Sequence, residues 1–134
     1  MGFLDHLRLS VTDIDAAARF YDPLMRALGF ERAARDDDGI AYGRREPSGR
    51  IEWLILTPAT VPGGHVLGTA GLHHVAFAAG DRAQVDEVGR ILAANGAHIL
   101  EGPKQYDHEP DHYAVFCLDP DGIKLEVVAV GEIG

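Results

Sequence analysis

The chain has 134 residues, of which 46% are hydrophobic and 25% are charged, a composition typical of a folded domain rather than a disordered chain. Its 12 basic and 21 acidic residues give a net charge of −9, which disfavours binding to nucleic acid. Because Cys117 is the only cysteine, an intrachain disulfide and a thiolate metal site are excluded, and we expect a buried, unreactive thiol.

No apolar stretch reaches membrane-spanning length, and the N-terminus lacks the basic start and the apolar run of a signal peptide. We therefore expect a cytoplasmic protein whose partner is a small molecule, with neither a nucleic acid nor a membrane as partner.

The chain begins with a pattern typical of a strand followed by a helix. His6 to Val11 is a short, apolar-rich run, and Asp13 can cap the helix that follows it. Apolar residues recur at three- and four-residue spacing from Ile14 to Leu28, and Gly29 supplies a stop. Pro23 interrupts this pattern, so we expect a kink or a break into two short helices there.

The same order of elements occurs twice. The stretch from His74 to Asp81 resembles the stretch from His6 to Asp13, and apolar spacing from Val85 to Leu92 predicts a second helix that stops at Gly96. Three strand-like runs follow each helix, and they are Glu31 to Arg35, Ile40 to Arg44, Ile51 to Leu56, His98 to Glu101, Tyr113 to Leu118 and Ile123 to Val130.

Each half therefore reads βαβββ. We predict a single α+β domain over residues 1–134, with repeat one at about 1–58, a Gly- and Pro-rich linker at 59–70 and repeat two at about 71–134. The two βαβββ repeats are expected to form paired, partly closed mixed β-sheets with the helices on the outer face.

Side-chain alternation selects candidate metal ligands. Along the first strand, His6 shares the more polar face with Arg8, while Leu9 and Val11 lie opposite and must meet the helix. The repeat places His74 at the equivalent point of the second half. Alternation puts its rival, His73, on the helix-facing side.

Glu126 lies in a strand otherwise suited to burial, where a carboxylate is costly unless it is paired or bound to a cation. Together with His6 and His74 it supplies two imidazoles and one carboxylate from three strands. We predict that these residues bind one divalent metal ion, Fe, Mn, Ni or Zn, and leave open positions for substrate and water.

Three segments carry a family resemblance, and they are Asp5 to Val11 with the later Phe20-Tyr21 and Leu28-Gly29-Phe30, then Gly71 to Phe77, and finally Asp119 to Glu126. In these segments the chain resembles the vicinal oxygen chelate superfamily, which includes glyoxalase I, extradiol dioxygenases, fosfomycin-resistance enzymes and metal-free bleomycin-resistance proteins. The resemblance covers nearly the whole chain.

The resemblance implies that His6, His74 and Glu126 hold the metal. In glyoxalase I a fourth ligand is an acidic residue in the last strand of the first half. Counting from the turn glycines, however, Trp53 matches Glu126 and Glu52 falls one residue short. Because a one-residue offset turns a side chain to the other face, Glu52 is a ligand only if a bulge or a shorter turn redirects it. The three-ligand set resembles the extradiol dioxygenases instead.

Further candidate residues lie in the polar, aromatic segment before the seventh strand. The resemblance implies that Tyr113 lies near the metal and donates a hydrogen bond to a bound oxyanion, although a strand tyrosine with its hydroxyl in water is the plain alternative. His112 and His108 are candidate bases, with surface ion pairs as their alternative. We expect Tyr106 to belong to the rim that contacts substrate.

Two residues of the first half are candidates for substrate binding. Arg8 lies on the His6 face and can pair with a substrate carboxylate or with a neighbouring acidic side chain. Trp53 is a candidate for an aromatic wall, although burial in the core is the commoner fate of a single tryptophan.

The sequence favours two functions. The first is a metal-dependent lyase or isomerase, or an extradiol-type dioxygenase, acting on a small molecule that chelates the metal through neighbouring oxygens. The second is a metal-free protein that sequesters a planar or cationic drug, for which the acidic charge of the chain is suited. The resemblance also implies a homodimer.

Overall fold

The structure, a computed structural model, describes residues 4–107 and 111–129 of the chain, so the candidate base His108 lies outside the described residues. It divides into two compact units, Met1–Gly64 and His65–Gly134. The boundary falls inside the glycine- and proline-rich segment that the sequence predicts to be a linker.

The first unit is one βαβββ repeat. Its elements are β1 (His6–Val11), α1 (Ile14–Ala27), β2 (Glu31–Asp36), β3 (Gly39–Arg45) and β4 (Ile51–Pro58). The four strands form a mixed sheet in the order β1-β4-β3-β2, in which β1 runs parallel to β4 and the remaining pairs are antiparallel.

Alternation along β1 sets the two faces of this sheet. Leu9 and Val11 are buried, whereas His6, Arg8 and Ser10 are exposed. The predicted facing of this strand is confirmed, and His6 therefore lies on the face opposite the apolar core.

Helix α1 begins where Asp13 accepts hydrogen bonds from the backbone N–H groups of the first turn, and it ends before Gly29, whose φ of +87° suits a residue without Cβ. Pro23 lies inside one continuous helix, so the predicted break into two helices is wrong. Proline removes a single backbone hydrogen bond, and the fully buried Tyr21 and Leu24 on either side hold the helix on the sheet.

The second unit repeats this order. Its elements are β5 (Val75–Ala78), α2 (Arg82–Ala94), β6 (His98–Tyr106), β7 (His112–Leu118) and β8 (Lys124–Ala129), and its sheet runs β5-β8-β7-β6 with β5 parallel to β8. The predicted fold class is confirmed, because each unit combines one helix with a four-stranded mixed sheet in the same strand order.

Strand β6 is longer than the sequence predicts. The sequence predicts a strand that ends at Glu101, whereas the strand in the structure continues through Gly102 and Pro103, both poor strand formers, to Tyr106. Register shifts on either side of Glu101 absorb the irregular residues. The extension brings the ring of Tyr106 beside the start of β7.

His65 lies in the predicted linker. It is half-buried, and its backbone N–H donates to the carbonyl oxygen of Asp121 in the turn before β8. Among the residues that the structure describes, neither helix combines the length and the apolar character needed to cross a bilayer.

Candidate metal centre

Glu126 is a buried carboxylate in the middle of β8. Only 5% of the residue is exposed, and its neighbours Leu125 and Val127 face the apolar core. Alternation therefore turns the Glu126 side chain to the other face, beside its strand partners Ala76 in β5 and Phe116 in β7. A carboxylate at this depth is stable only when other groups compensate its charge.

Two imidazoles meet this carboxylate, one at each oxygen. Nε2 of His74, which directly precedes β5, lies 3.1 Å from Oε1 of Glu126. Nε2 of His112, the first residue of β7, donates to Oε2 at 2.8 Å. The structure thus brings together His74 and Glu126, predicted as metal ligands, and His112, predicted as a base.

His73 does not face the helix, which corrects the prediction from alternation. It is exposed, and its Nδ1 lies 2.7 Å from Nδ1 of His74. Because β5 begins only at Val75, the alternation of the strand does not extend back to His73. The two histidines are therefore hydrogen-bonded neighbours rather than residues on opposite faces.

Aromatic rings surround the cluster on its β6 and β7 side. The ring of Phe116 lies edge-on to His74 with centroids 6.0 Å apart, and Tyr106 lies edge-on to both His112 and Phe116 at 5.8 and 5.6 Å. The Tyr106 hydroxyl donates to Glu101, and burial together with this acceptor raises the pKa of Tyr106 to about 12. Tyr106 thus lies beside the cluster as a neutral phenol.

Tyr113 does not join the cluster. It follows His112 and therefore lies on the other face of the sheet, where its hydroxyl donates to Asp86 of α2 and the Arg82 guanidinium lies 5.2 Å from its ring centroid. The hydrogen bond to Asp86 raises the pKa of Tyr113 above its ordinary value. The expected position of this phenol near the metal ligands is corrected to a contact with the helix.

In the first unit, the predicted substrate residues share a face with His6. His6 is the strand partner of Trp53, and Arg8 is the partner of Ile55. The indole of Trp53 lies over Gly43 of β3, where a Cβ would come within 2.8 Å of the ring. Trp53 lines an open cavity of about 520 Å³ in this unit.

Glu52 lies on the face of the sheet opposite to His6 and Trp53, so it is not directed to the side on which a fourth ligand is needed. The pairing of β3 with β4 runs without a bulge, so Glu52 lies with the buried Leu54 and Leu56. Its carboxylate accepts two hydrogen bonds from Arg44, at 3.1 and 2.8 Å. Burial favours the neutral form, but hydrogen bonds and nearby positive charge outweigh it and lower the pKa of Glu52. Glu52 is therefore half of an ion pair on the helix side.

Two residues are counterparts of Glu126 in the first unit, and neither is acidic. Counting from the turn gives Trp53, as the sequence predicts. Counting from the parallel partner strand gives Ile55, because Ile55 pairs with Arg8 as Glu126 pairs with Ala76. The departure from a four-ligand cage therefore holds by either count.

The spacing of the donor atoms of His74 and Glu126 is that of a hydrogen bond, and it is also compatible with two ligands of one metal ion. Two adjacent ligand atoms on one metal are about 3.0 to 3.4 Å apart when each bond is about 2.1 Å long, and Nε2 and Oε1 are 3.1 Å apart. Over residues 4–107 and 111–129, no group of three or more His, Cys, Asp or Glu side chains is arranged to hold a metal ion. The role of His6 as the third ligand stays a prediction from the sequence.

Solved structures and a curated protein resemble this chain over almost its full length. YqjT, an uncharacterized protein of Bacillus subtilis, is 32% identical over 130 residues, which cover 94% of this chain and 98% of YqjT. A Bacillus halodurans protein described as a candidate glyoxalase is 32% identical with a TM-score of 0.81, and the match covers 96% of each chain. A glyoxalase/bleomycin resistance protein from Albidiferax ferrireducens is 26% identical with a TM-score of 0.74, over 96% of this chain and 98% of that one.

The family model of the glyoxalase/bleomycin resistance protein/dioxygenase superfamily matches residues 3–127. This match spans both βαβββ units and includes the three predicted ligand positions. The chain therefore belongs to the glyoxalase/bleomycin resistance protein/dioxygenase superfamily.

Proposed function

We propose that the protein is a divalent-metal-dependent enzyme that acts on a small molecule bound through two neighbouring oxygens. The observation that supports it most is the buried carboxylate of Glu126, with Nε2 of His74 at 3.1 Å from Oε1. We propose His6 as the third ligand, on the basis of the sequence repeat.

The residues of the chain have separate roles in this proposal. Glu126 supplies the negative charge that makes the site selective for cations, and His74 supplies a neutral nitrogen ligand. Phe116 and Tyr106 shield this side of the site from water, and Arg8 pairs with an acidic group on the substrate. When bound, the metal ion supplies a Lewis acid that stabilises negative charge on substrate oxygens, as lyase, isomerase and dioxygenase chemistry each requires.

A second candidate function is metal-free binding of a planar, cationic molecule. Trp53 favours it, because the indole lies over Gly43 beside an open cavity of about 520 Å³ and offers a flat surface for stacking. The net charge of −9 favours a cationic ligand for the chain as a whole, whereas the lining of this cavity includes Arg32, Arg44 and Arg45 beside one acidic residue, Glu31. In this case Glu126 and its two histidines form a structural hydrogen-bond network.

Metal analysis of the freshly purified protein separates the two functions. We expect about one equivalent of a divalent metal per chain in the wild type, and a large loss of that metal in His74→Ala and Glu126→Ala. His98→Ala is the matched control, because His98 is an exposed histidine of the same unit, and it should keep the wild-type content. A wild type without metal that still binds a planar cation would favour the second function.

A further inference from the structure

His112 forms a largely buried hydrogen bond with Glu126. Its side chain is 14% exposed, and its Nε2 lies 2.8 Å from Oε2 of a carboxylate that is 6% exposed. The ring of Tyr106 packs edge-on against the imidazole at 5.8 Å. Because His112 opens β7, two strands away from His74, the two histidines approach Glu126 from different elements.

We propose that His112 is a positioning residue, which holds Oε2 of Glu126 so that Oε1 stays directed toward His74 and toward the metal ion. This role rests on the proposed function only in one respect, namely that a metal ion is the ligand for which Glu126 is positioned. The nitrogen of His112 that faces the site is occupied by Glu126, which favours this role over the general base that the sequence suggested.

The physical reason lies in the freedom of a glutamate side chain. The terminal torsion of glutamate is broad, so a free carboxylate samples many orientations. A hydrogen bond to Oε2 removes that freedom before a ligand arrives. The free energy of metal binding then does not include the entropy lost in ordering the carboxylate. Carboxylates that bind metals are generally fixed by such a bond, and its loss weakens metal binding.

The test compares three variants in the full chain. His112→Phe keeps a ring but removes the donor, and His112→Gln keeps an N–H at a similar reach. His98→Gln is the matched control, because His98 is exposed in β6 of the same unit. We expect His112→Phe to bind Co(II) about ten- to a hundredfold more weakly in calorimetry. His112→Gln should recover most of the affinity, and the control should match the wild type.

Crystal structures of the same proteins supply a readout that does not need the metal. We expect the Glu126 carboxylate to turn away from His74 in His112→Phe and to keep its position in His112→Gln. Should His112→Phe not fold, His112→Asn repeats the test, because its shorter side chain does not reach Oε2.

The outcomes separate the positioning role from the proposed function. Wild-type Co(II) affinity in His112→Phe, with Glu126 still 3.1 Å from His74, would overturn the positioning role. A wild type that binds no Co(II) would overturn the proposed function, and the crystal structures would still decide the role of His112. A merely structural role predicts lower thermal stability with unchanged affinity and an unchanged carboxylate.

Discussion

At the scale of single residues, the turn before β8 sets where Glu126 stands. Oδ1 of the buried Asp119 accepts hydrogen bonds from the backbone N–H groups of Asp121 and Ile123, both at 2.8 Å. Gly122 adopts a φ of +83°, which few other residues tolerate. The turn at the start of the segment Asp119 to Glu126, one of the three that carry the family resemblance, therefore fixes the start of the strand that carries the carboxylate.

Replacing Asp119 by alanine should destabilise the fold. Asp119→Ala removes the acceptor for two N–H groups, one of them buried, and we expect the free energy of unfolding to fall by about 1 to 3 kcal/mol. Asp119→Asn keeps a side-chain oxygen at this point and should lose clearly less. Urea unfolding followed by circular dichroism measures both, and equal losses in the two variants would contradict the assigned hydrogen bonds.

The reactivity of the Cys117 thiol reports whether the core of the second unit is closed to solvent. Burial, aided by the charge of Asp119, raises the pKa of Cys117 to about 12. A thiol reagent at about pH 8 should therefore label the native protein very slowly and the urea-unfolded protein completely. Fast labelling of the native protein would show that this thiol is accessible.

The raised pKa of Cys117 also predicts how stability depends on pH. Between the ordinary thiol pKa of 9.0 and about 12, the folded chain keeps the proton and the unfolded chain loses it. The contribution of Cys117 to stability is thus complete below pH 9.0 and decreases as the pH rises through this window. Measured at several pH values, the free energy of unfolding of the wild type should fall relative to that of Cys117→Ala as the pH rises from 9.0 to about 12.

At the scale of elements, the packing of the Trp53 side chain of β4 over β3 depends on Gly43. The six-membered ring of Trp53 lies against this glycine, and an added Cβ would approach the ring to within 2.8 Å, closer than such contacts normally occur. The flat position of the indole, and with it one wall of the cavity in the first unit, therefore depends on the absence of a side chain at residue 43.

Gly43→Ala should displace the indole. We expect the fluorescence emission of Trp53, the only tryptophan of the chain, to shift, and the free energy of unfolding to fall by about 1 to 3 kcal/mol because the sheet is overpacked. Gly80→Ala is the control, since its added Cβ meets nothing closer than Gln84 at 3.5 Å. An unchanged emission spectrum in Gly43→Ala would contradict the stacked position of Trp53.

Most helices and strands of the fold can be predicted from the sequence, because local periodicity and the repeat indicate them. The alternation that buries Leu9 and exposes His6 is a property of one strand and is confirmed. Tertiary packing across Pro23 was not predictable, since proline alone indicates a break. The extension of β6 past Gly102 was missed for a similar reason, because register shifts are a property of the paired strands.

Part of the candidate site follows from the sequence as well. The repeat and the burial of its strand indicate His74 and Glu126, which the structure brings within 3.1 Å. The partner at Oε2 was not predictable as such, because the approach of His112 depends on how β7 pairs with β8. The resemblance predicts that Tyr113 lies near the metal ligands. In the structure its neighbour His112 lies on that face of the sheet, and Tyr113 lies on the other.

At the scale of the whole molecule, the two units share a plan but differ in chemistry. Both have the strand order first-fourth-third-second and one helix on the apolar face. The second unit carries a buried carboxylate with an imidazole at each oxygen, whereas the corresponding positions of the first unit are Trp53 and Ile55. The two units thus share one architecture, while the side chains at these corresponding positions differ.

An anomalous difference map from crystals grown with Co(II) tests the central claim most directly. The account predicts a peak at about 2.0 to 2.2 Å from both Nε2 of His74 and Oε1 of Glu126, with Oε2 still held by His112 at its present 2.8 Å. A further bond from His6 to the same peak would complete the proposed ligand set. No peak at these two atoms, with His74 still hydrogen-bonded to Glu126, would contradict the metal centre.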